Sequence, residues 1–360
     1  MSRSVLVQLV LLEVAVAGVL VGLAEEGLWL PVGVAVAVVC LVLLLPWRRR
    51  SLYRSLRSSL GMRARRRALR GSGIASLVGG TYEVVTVPRG SGGVSVGAVR
   101  DAATWTVALG LPLQDVFNED PPVPVDGLVR LLTVEDVPLS SVRVVTLLSP
   151  PTPGGGQAPG LRGPVSRLVT RFMVLTLDTR YAAEVISRRG GSAAVQQVLR
   201  RCVLRAEEVM NGAGVVVRRL PASSVEMHNA GSLGPLPPGP DGQVPPAREH
   251  ADHVAVGGSA SMTFALRGSE AVAHVDHLAA SLAAPVVATT VAVQPGPPPH
   301  RVPVTRVLVR VTGPEPVVRD AARALEGMAR ERGLSMDRLT GEQVPELRAT
   351  MLLGVPAGVA

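Results

Sequence analysis

The stretch LTLDTRYAAEVISRRGGSAAVQQVLRRCVLRAEEVMNGAGVVVRRLPASSV, residues 175–225, contains a strand, a long helix and a second strand. The first strand is predicted over residues 171–178, the helix over residues 192–214, and the closing strand over residues 215–220. The helix carries apolar side chains at helical spacing, with arginines between them: Val195, Val198, Val203 and Met210. This order is typical of half of a split βαβ unit.

The same order of elements occurs twice. The first half adds a strand at 104–110, a helix at 124–134 and a strand at 141–149. The second half has strands at 260–268, 285–293, 305–313 and 334–339, and helices at 269–282 and 314–333. In both halves a Pro/Gly-rich loop, at 149–164 or 294–300, separates the second strand from the third. We therefore predict an α+β fold with two pseudo-repeated split βαβ units.

Residues that start and stop helices flank the predicted helices. Ser192 and Ser269 are expected to cap two helix starts, and Pro314 precedes the acidic first turn of a third helix. Glycines are expected at the helix ends: Gly212, Gly214 and Gly333.

Two apolar runs of 19 residues each precede these halves, at 5–23 and 28–46. Each run is long enough to cross a hydrocarbon core of about 30 Å. The short connection between them carries Glu25 and Glu26, so the pair predicts a transmembrane hairpin. A cleaved signal peptide is the alternative for the first run, but the single Arg3 before it and the tight return disfavour that interpretation.

Small residues recur at a spacing of four in both runs, which places them on one helix face where two backbones can approach closely. The candidate packing residues are Gly18, Gly22, Gly33 and Ala37. The alternative is that small residues are simply common in this composition.

Ten arginines and no acidic residue follow the second apolar run. They are Arg48, Arg49, Arg50, Arg54, Arg57, Arg63, Arg65, Arg66, Arg67 and Arg70. Because arginine accumulates on the cytoplasmic side of membrane spans, we predict a multi-pass plasma-membrane protein with its N-terminus and C-terminal domain in the cytoplasm. The run is also expected to contact anionic lipid head groups.

These features predict five segments. They are a transmembrane hairpin at 1–46, an arginine-rich juxtamembrane segment at 47–74, a first cytoplasmic half at 75–230, a Pro/Gly linker at 231–248 and a second cytoplasmic half at 249–360.

The charge distribution disfavours nucleic acid as a partner. The net charge of +9 lies mostly in the first 70 residues, whereas the remaining chain holds 26 arginines against 25 acidic residues. A nucleic-acid-binding domain is expected to carry its own basic face, and base stacking requires aromatic side chains, which make up 2% of this chain.

The composition also excludes several enzyme classes. Every basic residue is arginine, so a phosphate-loop lysine and a lysine Schiff base cannot occur. Cys40 and Cys202 have no zinc-site spacing, and no serine-hydrolase, zinc-protease or dinucleotide motif is present. We therefore expect no enzyme and no cofactor.

Two histidine motifs and one carboxylate remain as weak candidates for chemistry. HADH at 250–253 and HVDH at 274–277 place histidines three residues apart, which would let His274 and His277 share a metal on one helical face. A solvated polar face explains them more simply. Asp178, at the end of a predicted strand, is either a catalytic acid or, as we favour, a turn cap.

Residues 175–225, with RRGG at 188–191 and RRLPASSV at 218–225, resemble EccE, a membrane component of the actinobacterial type VII (ESX) secretion system. Residues 134–151, VEDVPLSSVRVVTLLSPP, also look like the family's first strand and its proline exit.

The resemblance implies a non-catalytic structural subunit at the periphery of a hexameric inner-membrane assembly, beside EccB, the ATPase EccC and EccD. Two other classes stay open: a membrane-anchored enzyme with a degenerate or unrecognised transferase-like domain, and a nucleic-acid binder acting through the arginine run.

Overall fold

The computed structural model describes residues 12–21, 29–44, 46–47, 50–69, 74, 77, 82–88, 95–112, 124–149, 167–234, 246–296 and 302–354. Contacts divide the chain into two units, one of Met1–Ala64 with Gly296–Val302 and one of Arg65–Pro295 with Pro303–Ala360. The second unit contains both halves expected from the sequence, apart from Gly296–Val302.

The described helices are α1 (residues 12–21), α2 (Trp29–Leu44), α3 (Leu52–Ala68), α4 (Val125–Arg130), α5 (Ala183–Arg188), α6 (Val195–Gly212), α7 (Ala222–Gly231), α8 (Ala271–Ala280), α9 (Glu315–Glu331) and α10 (Gln343–Ala349). A short 3₁₀ helix, Gly191–Ala194, precedes α6.

In the part of the chain that the structure describes, no helix combines the length and apolar character that crossing a membrane requires.

The described strands are β1 (Pro46–Trp47), β2 (Arg50–Ser51), β3 (Glu83–Val87), β4 (Val96–Asp101), β5 (Thr104–Leu111), β6 (Thr133–Val134), β7 (Val137–Pro138), β8 (Ser141–Ser149), β9 (Leu168–Asp178), β10 (Arg218–Arg219), β11 (Ala247–Glu249), β12 (Val254–Val256), β13 (Ser259–Arg267), β14 (Val286–Gln294), β15 (Val304–Gly313) and β16 (Ser335–Arg338).

One antiparallel sheet of 12 strands dominates the second unit. Its order is β11-β12-β13-β15-β14-β8-β9-β5-β4-β3, with β10 paired to β5 and β16 paired to β13. The ladder between β8 and β14, in which Val145 lies opposite Thr290, joins the two halves of the sequence into this one sheet. The expectation of a mixed α+β fold is thereby confirmed, and the sheet crosses the boundary between the predicted halves.

Helices cover both faces of the sheet. On one face, α6 packs against β5, β8 and β9, and α8 and α9 pack against β13, β14 and β15. On the other face, α7 packs mainly against β3 and β4, and α10 packs mainly against β12 and β13. Both helices belong to the apolar cluster that also contains Val145, Phe172 and Val174 of the middle strands. Strands β8 and β14 are consequently buried on both sides, which explains their nearly continuous apolar sequences.

The long strands and helices lie close to their predicted positions. The prediction for β8 matches the observed bounds, and α9 begins one residue after its cap, Pro314. Gly214 and Gly333 adopt positive φ angles of 76° and 69° at helix ends, as expected for glycine in this position.

Several local predictions are wrong. Ser192 lies inside the 3₁₀ helix and α6 starts after Ala194, while α8 starts after Glu270 and not after Ser269. The helix expected over 124–134 stops at Arg130, because the chain turns back between β6 and β7. The sequence pattern does not predict β3, β4, α7 or α10, which are short and owe their stability to tertiary contacts.

Candidate functional site

The small residues of the two apolar helices lie together in the first unit. A Cβ atom placed on Gly18 of α1 would lie 3.3 Å from the main-chain oxygen of Gly33 in α2. Ala37 is buried in a cluster with Ala15 and Cys40. Three of the four predicted packing residues therefore lie along the contact between α1 and α2, and Gly22 lies outside the described residues.

The arginine run falls partly within the described chain. Arg48, Arg49 and Arg70 lie outside it, Arg50 is in β2, and the run otherwise belongs to α3: Arg54, Arg57, Arg63, Arg65, Arg66 and Arg67. The head-group contacts expected of these residues stay a prediction. The structure adds a specific partner for two of them.

Arg65 and Arg66 both bind Glu249 at the edge strand β11. Arg65 donates through Nε and Nη2 to the two carboxylate oxygens of Glu249, at 3.1 and 3.0 Å. Arg66 Nε donates to the main-chain oxygen of the same residue at 2.7 Å. The Glu249 side chain has no exposed surface, whereas that of Arg65 is 28% exposed. The two-point geometry is the strongest form of an arginine–carboxylate pair.

The same carboxylate holds the start of the C-terminal helix. The main-chain N–H of Val344, in the first turn of α10, donates to Glu249 Oε1 at 3.3 Å. A carboxylate at this end satisfies a free N–H group and complements the helix dipole. Gln343 attaches the same turn to the sheet, because its side-chain amide accepts the N–H of Thr263 at 2.9 Å and donates to the Thr263 carbonyl at 3.3 Å.

A buried arginine holds the other end of α10. Arg143, on β8, is fully buried, and its Nη1 donates to the Ala349 carbonyl at 2.7 Å. Its Nη2 donates to the Leu353 carbonyl. The last carbonyls of a helix have no partners within the helix, so a guanidinium group there satisfies them and complements the negative end of the dipole.

Two ion pairs complete the attachment of residues 343–354, which we call the C-terminal segment. Arg348 pairs with Asp101 at the end of β4 and donates to the Gly354 carbonyl at 2.9 Å. Glu346 accepts a hydrogen bond from Arg306 of β15 at 2.7 Å. The segment is thus tied to strands from both halves of the sequence.

Burial strongly affects the ionisation of these groups. It lowers the pKa of Arg143 to about 9, helped by the neighbouring charge of Arg348, so Arg143 stays protonated at neutral pH. Burial raises the pKa of Glu346 and of Asp101, and their arginine partners oppose that shift. Charges in such surroundings are stable only while their partners stay in place.

Two more arginines lie at helix C-termini. Arg310, a fully buried residue of β15, donates through Nη1 to the Ser232 carbonyl at 2.7 Å, just beyond α7. Arg167 donates to the carbonyls of Leu282 and Ala284, just beyond α8. The sequence could have indicated that Arg143 and Arg310 are buried, because each lies within an otherwise apolar strand, SVRVVTLLS or TRVLVRVTG. No local signal marked Glu249.

The histidine motifs have structural partners. Asp276 of HVDH accepts hydrogen bonds from Arg171 at 3.1 Å and from Thr289 at 2.8 Å. The rings of His250 and His253 are stacked 4.3 Å apart, and His253 Nδ1 lies 2.8 Å from Asp252. Among the described residues, which include His274 and His277 on α8, no group of three or more His, Cys, Asp or Glu is arranged to hold a metal.

Asp178 caps the turn after β9. Its Oδ1 accepts the main-chain N–H of Arg180 at 3.0 Å, and both carboxylate oxygens accept hydrogen bonds from the Arg180 guanidinium group. The side chain is 2% exposed. This is the local geometry of an aspartate that stabilises a turn.

The fold thus defines a mixed α+β protein that is dominated by one large antiparallel sheet with helices on both faces. Residues 166–266, from the start of β9 into β13, match the family model described as "EccE: Putative type VII ESX secretion system translocon, EccE". The expected resemblance to EccE is confirmed over this range, which contains residues 175–225. No curated protein matches the chain.

Proposed function

We propose that this protein is a non-catalytic structural subunit of a type VII secretion inner-membrane complex that supports assembly or stability of the export machinery. The observation that carries the proposal is the EccE match over residues 166–266. The hydrogen bonds of two carboxylates in the candidate motifs agree with a structural role, because Asp178 and Asp276 each accept hydrogen bonds from arginine.

The proposed partners are components like EccB, EccC and EccD in a hetero-oligomeric, hexameric assembly. Purification of the full chain in mild detergent from its own host tests this proposal. We expect these components to co-purify. Isolation of the chain without them would contradict a structural subunit, and salt-sensitive retention of DNA would favour the nucleic-acid alternative.

We propose that residues 5–23 and 28–46 cross the plasma membrane as a hairpin, with both termini in the cytoplasm. Their apolar sequences and the arginines after the second run support this topology. A reporter active only outside the membrane should be active in the turn at Glu25–Glu26 and silent after Ala360. The opposite pattern would exclude this orientation.

The contact between α1 and α2 provides a test of how the hairpin joins its complex. Gly18→Leu together with Gly22→Leu keeps the segment apolar but removes the space that Gly18 leaves beside Gly33. We expect normal insertion but weaker co-purification. Val16→Leu with Val19→Leu is the matched control, because both valines are exposed. Equal co-purification of all three chains would show that the small residues do not carry the association.

The enzyme alternative is tested at the histidines. His274→Ala with His277→Ala should leave secretion and assembly unchanged if the domain is structural. Stoichiometric zinc in the purified protein that disappears in this double variant would favour the enzyme instead.

We also propose that the two halves are pseudo-repeats. The strand order is β10-β5-β9-β8 in one half and β16-β13-β15-β14 in the other, with antiparallel pairing throughout. Residues 198–220 and 317–339 align without a gap, and most of their buried positions coincide. Leu199, Cys202, Val203, Ala206 and Met210 correspond to Val318, Ala321, Ala322, Leu325 and Ala329.

Because the ladder between β8 and β14 joins the two halves, we expect the halves on either side of the proposed boundaries at 230 and 249 to unfold together. A chain beginning at Gly71 should unfold its sheet in one cooperative transition. Two separated transitions, one for each half, would show that the halves are independent domains.

A further inference from the structure

Glu249 connects two elements that are far apart in the sequence. Its carboxylate accepts hydrogen bonds from Arg65, 184 residues away, and from the main-chain N–H of Val344, 95 residues away. Oxygen Oε1 accepts from both partners. The end of the arginine-rich helix α3 and the start of α10 are therefore held by the same buried group.

Helix α10 depends on these contacts. It has seven residues, and isolated helices of that length are unstable in water. Arg65 also donates to the carbonyl of Gly341, two residues before α10 begins. Loss of Arg65 would therefore loosen the approach to α10 and also leave the Glu249 carboxylate buried without its charged partner, which is strongly unfavourable.

The C-terminal segment covers apolar surface at the middle of the sheet. Val344, Leu347, Leu352 and Leu353 are each at most 3% exposed and belong to one cluster with Phe172 and Val174. Removal of the segment would expose these side chains to water. Burial of these apolar side chains opposes detachment, and the polar contacts at both ends of the segment add to that resistance.

We propose that Arg65 and Glu249 form a latch that controls whether the C-terminal segment is docked. While the end of α3 binds β11, Glu249 stays oriented to hold the start of α10, and the apolar centre of the sheet is covered. When Arg65 leaves, the start of α10 loses the Glu249 anchor and keeps the contacts between Gln343 and Thr263, so the segment detaches more readily from that end. The proposal makes Arg65 a positioning residue that acts through Glu249, independently of any role in secretion.

Hydrogen exchange of the full chain in detergent, resolved by peptide, tests the latch. Arg65→Gln and Glu249→Gln should each accelerate exchange of residues 343–353 by about tenfold or more, while strands β9 and β14 keep their protection. Arg63→Gln, at an exposed position of the same helix, is the matched control and should change nothing in residues 343–353.

The double variant separates a latch from two independent effects. Because Arg65 acts mainly through Glu249, Arg65→Gln combined with Glu249→Gln should accelerate exchange by less than the product of the two single effects, and the lost contact between Arg65 and Gly341 accounts for any excess over Glu249→Gln alone. Unchanged exchange of residues 343–353 in Arg65→Gln would overturn the latch. So would multiplication of the two single effects in the double variant, or equal acceleration throughout the sheet.

Discussion

Arg219 of β10 binds Glu207 of α6 through both carboxylate oxygens, at 2.6 and 2.7 Å. The second half contains the equivalent pair, because Arg338 of β16 donates to Glu326 of α9 at 3.2 Å, with the same separation of 12 residues. Each pair joins the last strand of a half to its long helix. The first pair is more buried, with side chains 11% and 22% exposed against 55% and 44%.

This difference in burial predicts unequal effects of one substitution. Arg219→Met should lower the free energy of unfolding by about 1–2 kcal/mol, because it removes a two-point, partly buried pair. Arg338→Met should cost at most about 0.5 kcal/mol, because water screens the second pair. Denaturant unfolding of the full chain in detergent measures both. Equal losses would contradict the argument from burial.

Two buried arginines at helix ends should differ in how much they contribute to the free energy of unfolding. Arg143 and Arg310 are both fully buried, and burial lowers the pKa of each to about 9. Arg143→Met removes the donor to the Leu353 carbonyl and leaves the Ala349 carbonyl with a long hydrogen bond from Thr290 at 3.4 Å, so we expect a loss of about 2–4 kcal/mol. Arg310 has one short hydrogen bond, and its Nε and Nη2 have no partner within the described chain.

Arg310→Met should therefore cost at most about 1 kcal/mol, because removing a poorly paired buried cation offsets the lost hydrogen bond. Thermal unfolding of the two variants at the same pH makes the comparison. A loss in Arg310→Met as large as that in Arg143→Met would show that helix capping does not distinguish these residues.

The hairpin between β4 and β5 offers a stabilising substitution. Ala102 has φ of 45° in a two-residue turn, where a left-handed conformation is unfavourable for a residue with a Cβ atom. Ala102→Gly should raise the free energy of unfolding by about 0.5–1 kcal/mol. Ala103→Gly is the control and should lower it by about 0.5–1 kcal/mol, because the added chain flexibility there relieves no strain. A loss of stability in Ala102→Gly would refute the strain argument.

Cys202 predicts a pH dependence. Burial raises the pKa of its thiol to about 12, so the reactive thiolate is disfavoured in the folded state. At pH 8 only about one molecule in ten thousand carries a thiolate there, and alkylation should be slow until the pH approaches 12 or the chain unfolds. Cys40→Ser isolates the signal of Cys202. Rapid labelling of the native variant at pH 8 would contradict its burial in α6.

The elements with a strong local pattern could be predicted from the sequence. Strands β8, β9, β14 and β15 carry runs of β-branched residues, and α6 and α9 carry apolar residues at helical spacing. The ends of two helices could also be predicted, from Gly214 and Gly333. The positive φ angle that ends a helix favours glycine, and this preference is local.

The candidate site is different, because its contacts join distant positions. In the sequence, nothing distinguishes Arg65 from the nine other arginines of the run. The folded chain places it against Glu249. Likewise, α10 has no pattern that separates it from a loop, and it becomes a helix because Glu249 and Arg143 satisfy its two ends.

The α+β class and the resemblance to EccE could be read from the amino-acid sequence alone, because both rest on local patterns. The same local patterns predict the repeated order of elements. The folded chain was needed to show that β8 pairs with β14, that Arg143 binds the end of α10, and that Glu249 contacts both α3 and α10. Long-range pairing depends on the combined burial of many side chains, so no single stretch of the chain encodes it.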